Sequence, residues 1–272
     1  MKVLRRKISA LDGAPGRCGG ETILIRTLFE RAGKAGTLDG LRLQISLQAE
    51  SMTGLKAHNA VGIVPGKRPG ENDENVIVNA HADGWFDAAG DNGDGLAVLV
   101  ALARHFARPE NRPERTVVFV ASAGHHGGGM NGPSNFVRMN PELTKNTVLV
   151  LNLEHIAQFY FRTDPWRLDN VEQPMGFGIS NQAPYIAALG KLAMGRYGFN
   201  LNPTFSSSTA GDLGGYAPLG VPRVQAIHSG PMYHTSGDVL ETISVPGLER
   251  AARFYAYFVT DVAQAARKDL QP

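Results

Sequence analysis

The chain has 272 residues, of which 43% are hydrophobic and 19% charged, with a formal net charge of +2 at neutral pH. That length can bury a sizeable core, and the balance excludes both a disordered chain and the basic stripe of a nucleic-acid binder. A single cysteine, Cys18, excludes an intramolecular disulfide framework and a cysteine-rich zinc site.

The N-terminal Met1-Lys-Val-Leu-Arg-Arg-Lys is basic, but the apolar run of a signal peptide does not follow it. The chain as given is expected to be soluble and cytoplasmic with no membrane span, or exported if the native N-terminus is longer. Residues 1–40 are rich in glycine and polar turns around one helix near 21–32, and are expected to form an accessory segment. Residues 41–272 are expected to form one α/β domain. Leu41, Leu43, Ile45 and Leu47 alternate with polar residues, as in a half-buried strand. Residues 60–64 form a second strand, closed by Pro65-Gly66, and 67–74 a polar loop.

From there strands and helices alternate. Residues 76–79 are an apolar run with no polar alternation, which suits a strand covered on both faces. A helix follows at 93–106, then buried strands at 116–121 and 147–153 with a short helix at 134–139 between them. Residues 185–197 are helical, 224–227 a strand, and 248–266 a long closing helix. This alternation predicts a mixed, mostly parallel sheet flanked by helices.

Imidazoles and carboxylates gather just after these strands, where loops converge in such a fold. His81 and Asp83 follow the first buried strand, and Asp91 opens the next helix. His125 and His126 follow the second, Glu154 ends the third, and Tyr233 and His234 lie beyond the fourth. Imidazole with carboxylate suits zinc or a similar divalent ion, and Asp91 is placed to bridge two ions. Asp83 is expected to orient His81 by accepting its second ring N–H. His155 is expected to point to the opposite face from Glu154. His58, His105 and His228 are assigned no role. Gly127-Gly-Gly129 lacks the lysine of a phosphate loop and is expected to bring backbone close to the cluster.

The block resembles the co-catalytic zinc exopeptidases of clan MH, peptidase family M28, from about Leu41 to the C-terminus. The resemblance runs through His81-Ala-Asp83, Gly90-Asp91-Asn92-Gly, Asn152-Leu-Glu154, Gly211-Asp212…Gly220-Val-Pro and Tyr233-His234-Thr…Asp238. It implies a zinc-exopeptidase-like α/β domain and peptide or amide substrates. Residues 1–40 would be the remnant of an inserted lid. It also implies one ion on His81, Asp91 and Glu154, and a second on Asp91, His234 and the residue at 126. Tyr233 would stabilise the oxyanion, Asp238 would support the His234 loop, and Asp212 would lie at the substrate pocket. The loops at 164–175 and 206–216 would set specificity.

The chain departs from the family at one step: two adjacent glutamates, a general base and a ligand, are replaced by His125 and His126. Three readings follow. His126 serves as a ligand and His125, with an unperturbed pKa of about 6.5, as the base. Alternatively one ion binds and hydrolysis is weak, or the fold serves binding alone. With one carboxylate fewer, the second ion is expected to be less tightly held and the attacking water more acidic. Cyclisation of the glutaminyl-cyclase kind would need one metal but a carboxylic acid where His125 stands.

Overall fold

The computed structural model describes residues 30–36, 54–67, 74–127, 131–163, 166–169, 176–199, 204–207, 209–228, 230 and 232–272. Its strands are β1 (Ala60–Val64), β2 (Asn75–His81), β3 (Thr116–Ser122), β4 (Thr147–Leu153), β5 (Tyr160–Thr163), β6 (Trp166–Asp169), β7 (Gly176–Ile179), β8 (Thr204–Ser206) and β9 (Arg223–Ile227). The helices are α1 (Asp94–Phe106), α2 (Gly132–Met139), α3 (Pro141–Thr144), α4 (Pro184–Tyr197) and α5 (Val245–Gln264).

Seven strands form one sheet in the order β1-β3-β2-β4-β9-β7-β8, and β5 with β6 makes a separate hairpin. Four of the six neighbouring pairs in the large sheet are parallel; β1 on β3 and β7 on β9 are antiparallel. This is the mixed α/β sheet that the alternation predicts. All seven residues of β2 and all seven of β4 are buried, as expected for central strands. Among the described residues, no helix is long and apolar enough to cross a membrane.

The period-two pleat sorts side chains into two layers. Val76, Val78, Val117, Phe119, Leu149 and Leu151 face a thick core shared with α1, α4 and α5. Ile77, Val118, Val120 and Val150 face a thinner layer capped by Phe136 of α2 and by Leu213 and Tyr216. Following the same pleat to the strand ends puts Asn79, His81, Ser122 and Asn152 on the thin side. The site is therefore built where an apolar face turns polar.

Helix α5 starts three residues earlier than its apolar stripe suggests. Ser244 accepts the N–H of Gly247 at 3.0 Å, and Pro246 is tolerated in the first turn. Strands β7 and β8 escape sequence reading because one is Gly-Phe-Gly-Ile and the other has three residues. Within the loop expected at 206–216, residues from Gly211 onward form a 3-10 run, Gly211–Leu219, that covers the thin face. The strand expected at 41–47 and most of the helix at 21–32 lie outside the described residues, though 30–34 are helical.

Gly95 fixes how closely α1 approaches the sheet. A Cβ there would meet the Leu153 carbonyl oxygen at 2.5 Å and would overlap Asn92 Oδ1. Gly95→Ala is expected to cost about 1–3 kcal/mol through overpacking, read as a lower urea midpoint at constant slope.

Candidate metal centre

Asp91 is the hub. It sits in a wide turn, Ala89–Gly93, that leads into α1, and its peptide bond to Asn92 is cis. Its two oxygens face different imidazoles. Oδ1 lies 3.1 Å from His81 Nε2, whereas Oδ2 lies 3.3 Å from His126 Nε2 and 3.2 Å from His234 Nε2. Glu154 Oε1 stands 3.8 Å from His81 Nε2. Two donor groups result: His81, Asp91 and Glu154, and Asp91, His126 and His234. A third group, His81 with His125 and His126, overlaps both.

The donor set fits a divalent metal. His81 Nε2, His126 Nε2 and both Asp91 oxygens are buried without a hydrogen-bond partner, an arrangement costly for polar atoms unless something else binds them. Donors on one tetrahedral zinc ion stand about 3.3 Å apart, close to the separations around Asp91. Burial raises the Asp91 pKa, but the close approach of His81 and the positive charge that His155, His81 and His126 can carry outweigh it and hold the carboxyl at about 2. It is therefore ionised and able to ligate at any working pH.

The supporting contacts differ from those expected. His81 Nδ1 donates to the main-chain carbonyl of Asp83 at 2.8 Å, while the Asp83 carboxylate is 4.0 Å away. A carbonyl only accepts, so Nδ1 carries the proton and Nε2 keeps its lone pair for the centre. The Asp83 carboxylate instead takes the backbone N–H groups of His125 and His126, at 3.0 and 2.8 Å. It fixes the turn that presents both histidines.

Asp238 likewise supports the Asp91 turn rather than the His234 loop. Its oxygens accept the N–H of Gly90 at 2.7 Å and of Asp91 at 2.9 Å. Gln158, which the sequence reading did not single out, adds an amide N–H to Asp238 at 2.6 Å. Asp94 is the first residue of α1, with Gly93 in the N-cap position ahead of it. It is buried and accepts the N–H groups of Ile156 and Ala157 at 2.9 and 2.7 Å, tying α1 to the segment after Glu154.

His155 does not turn away from the centre. The strand stops at Leu153 and His155 takes a left-handed backbone, φ 53°, so period-two alternation no longer applies. Its Nε2 lies 3.6 Å from Asp91 Oδ1 and 3.7 Å from Glu154 Oε1, and its ring meets Tyr233 edge-on. Burial and the nearby histidines hold its pKa down at about 4 despite Asp91, so the imidazole is neutral.

His125 stacks on His81, with ring centroids 4.1 Å apart. Its Nδ1 bonds Asp212 at 2.7 Å and its Nε2 faces Glu154 Oε1 at 3.8 Å. Burial lowers its pKa, but the Asp212 hydrogen bond and charge, with Glu154 and Asp91, outweigh burial and lift it to about 9. A divalent ion on Glu154 and Asp91 would cancel part of that field and favour the neutral imidazole, the form able to take a proton. Asp212, expected at the substrate pocket, is buried beneath His125 instead. Tyr233 stacks on His234 at 3.6 Å and, with Trp85 and Phe86, is exposed at the rim. Gly128 and Gly129 lie outside the described residues.

The model of peptidase family M28 matches residues 59–259. Among solved structures, a zinc aminopeptidase from Bacillus subtilis superposes with a TM-score of 0.65 at 20% identity, covering 82% of this chain and 54% of that one. An aminopeptidase from Aneurinibacillus sp. strain AM-1 gives 0.63 at 20% identity, over 79% of this chain and 50% of the other. A glutaminyl cyclase from an Acidobacteriales bacterium gives 0.60 at 17% identity, over 76% and 73%. The chain thus spans about half the length of the two aminopeptidases, and these likenesses establish the fold. No curated protein matches the chain in sequence.

Proposed function

This chain belongs to peptidase family M28, and from that premise we propose that it is a zinc-dependent exopeptidase in which His125 replaces a carboxylate as general base. The observation that carries the reading is the division of Asp91, whose two buried oxygens each face a separate set of imidazoles. One zinc ion would be held by His81, Asp91 and Glu154, and a second by Asp91, His126 and His234. When bound, the ions supply Lewis acidity to the scissile carbonyl and to the attacking water.

The chain's own residues do the rest. His125 Nε2 takes the proton of the water as it attacks and returns it to the leaving amine. The Tyr233 hydroxyl donates a hydrogen bond to the carbonyl oxygen as negative charge develops there. Its pKa is raised by burial and by Asp91 and Glu154, so it stays protonated for that task. Exposed Trp85, Phe86 and Tyr233 give the rim an apolar wall that suits a peptide with a hydrophobic side chain beside the scissile bond.

Metal analysis after zinc loading, followed by turnover on a peptide library, tests the reading. Two ions per chain with peptide cleavage are expected, and a chain that holds no stoichiometric zinc overturns it. His125→Ala should lower kcat about 10²–10⁴-fold with the zinc content unchanged. Unchanged turnover in that variant would remove His125 from the role of base.

A further inference from the structure

We propose that Asp212 is the positioning residue for His125, so that the base of this centre is a two-residue unit. The inference rests on the reading of His125 as base. Each oxygen of the buried Asp212 carboxylate is committed. Oδ2 accepts the Ser122 hydroxyl at 2.6 Å and the Asn79 amide at 2.8 Å, which leaves Oδ1 for His125 Nδ1 at 2.7 Å. Asn79 cannot swing, because its amide also reaches Asn152 Oδ1 at 2.9 Å and its oxygen accepts the Tyr216 hydroxyl at 2.9 Å. The carboxylate is thus held from below by two strand residues, Ser122 and Asn79, with Oδ1 left for the imidazole.

Such an acceptor sets the tautomer. An ionised carboxylate has no proton to give, so His125 must carry its proton on Nδ1 and leave the Nε2 lone pair facing the centre. The loop that carries Asp212 packs tightly enough to hold this pose. Gly211 has φ +65°, and a Cβ there would stand 3.3 Å from His125 Cε1 and 3.1 Å from Glu154 Oε2. A substrate-binding role would need a free Asp212 oxygen at the rim, and both are taken.

The same layer reaches the first metal position. Asn152, bonded to Asn79, also donates to Glu154 Oε2 at 2.7 Å, which leaves Oε1 towards His81. One buried polar ladder therefore sets the direction of both the base and a ligand.

Nitrogen-15 NMR of the imidazoles in zinc-loaded wild-type protein tests the pairing without a variant. His125 is expected to show a protonated Nδ1 and an Nε2 without hydrogen; the reverse tautomer would overturn the proposal. Asp212→Asn should lower kcat by about 10²-fold or more, as seen when a histidine base loses its orienting carboxylate, with KM and zinc content held. A raised KM with kcat intact would make Asp212 a substrate contact and overturn the proposal as well. In a His125→Ala background the Asp212→Asn change should cost little more, because the two residues act as one unit. If His125→Ala alone leaves turnover intact, the base reading fails, while the tautomer result still decides the pairing.

Discussion

Alanine at position 91 is expected to strip both metal positions at once. Asp91 is the one residue shared by the two donor groups, and its oxygens lie within 3.1 to 3.3 Å of His81, His126 and His234. Removing it leaves one carboxylate and one imidazole at the first position and two imidazoles at the second. Neither set meets the three protein ligands usual for a catalytic zinc. Zinc content should fall from two ions per chain to none at micromolar free metal, and peptide turnover should fall at least about 10⁴-fold, since the contributions of the ions and of the base go together. His234→Ala should be milder, because it removes a ligand only from the second position and its ring is 39% exposed. One ion should then remain. Equal metal loss in the two variants would mean that Asp91 does not bridge.

Asp94 should control the pH dependence of stability in the metal-free chain. An aspartate in the unfolded chain titrates near 3.9. In the folded chain, burial lifts Asp94 to about 8, against the N–H groups of Ala157, Ile156 and Gly95 that favour its charge. The folded state therefore holds a proton that the unfolded state has lost between about pH 4 and pH 8. Stability from this group is fully present below pH 4, declines by about 1.4 kcal/mol per pH unit, and is gone above pH 8. The whole span is worth on the order of 5 kcal/mol.

Asparagine at 94 keeps an acceptor for the Ile156 and Ala157 N–H groups but cannot ionise. Asp94→Asn should match the wild type near pH 4 and be several kcal/mol more stable at pH 9, measured by urea unfolding with a chelator present. Parallel pH profiles for the two proteins would show that Asp94 is not the group responsible. The site pays little for this device, since Asp94 touches none of the donor atoms and acts on the segment after Glu154.

Much of this protein was legible in its residues. The stretches at 76–79, 116–121 and 147–153, polar only at or next to their ends, specify strands with both faces covered, because a polar side chain in their middle would be left unsolvated. Residues of ligand type placed after those runs had to meet, since parallel strands bring their carboxyl ends to one edge. His81, Asp91, His126, Glu154 and His234 could therefore be grouped before any coordinates were known.

What partners each of them takes was a matter for the tertiary structure alone. Asp83 reaches His81 with its carbonyl and the two neighbouring histidines with its carboxylate, a choice set by the path of the turn. Asp238 supports a turn 147 residues away in sequence, and Asp212 closes on His125 from a 3-10 run with the letters of a flexible loop. His155 comes into the centre because its backbone leaves the strand geometry at one left-handed residue. Periodicity determines which face a side chain occupies only while the element continues. Beyond the strand ends, hydrogen-bond direction depends on where distant loops cross, and that is decided by packing rather than by any local run of residues.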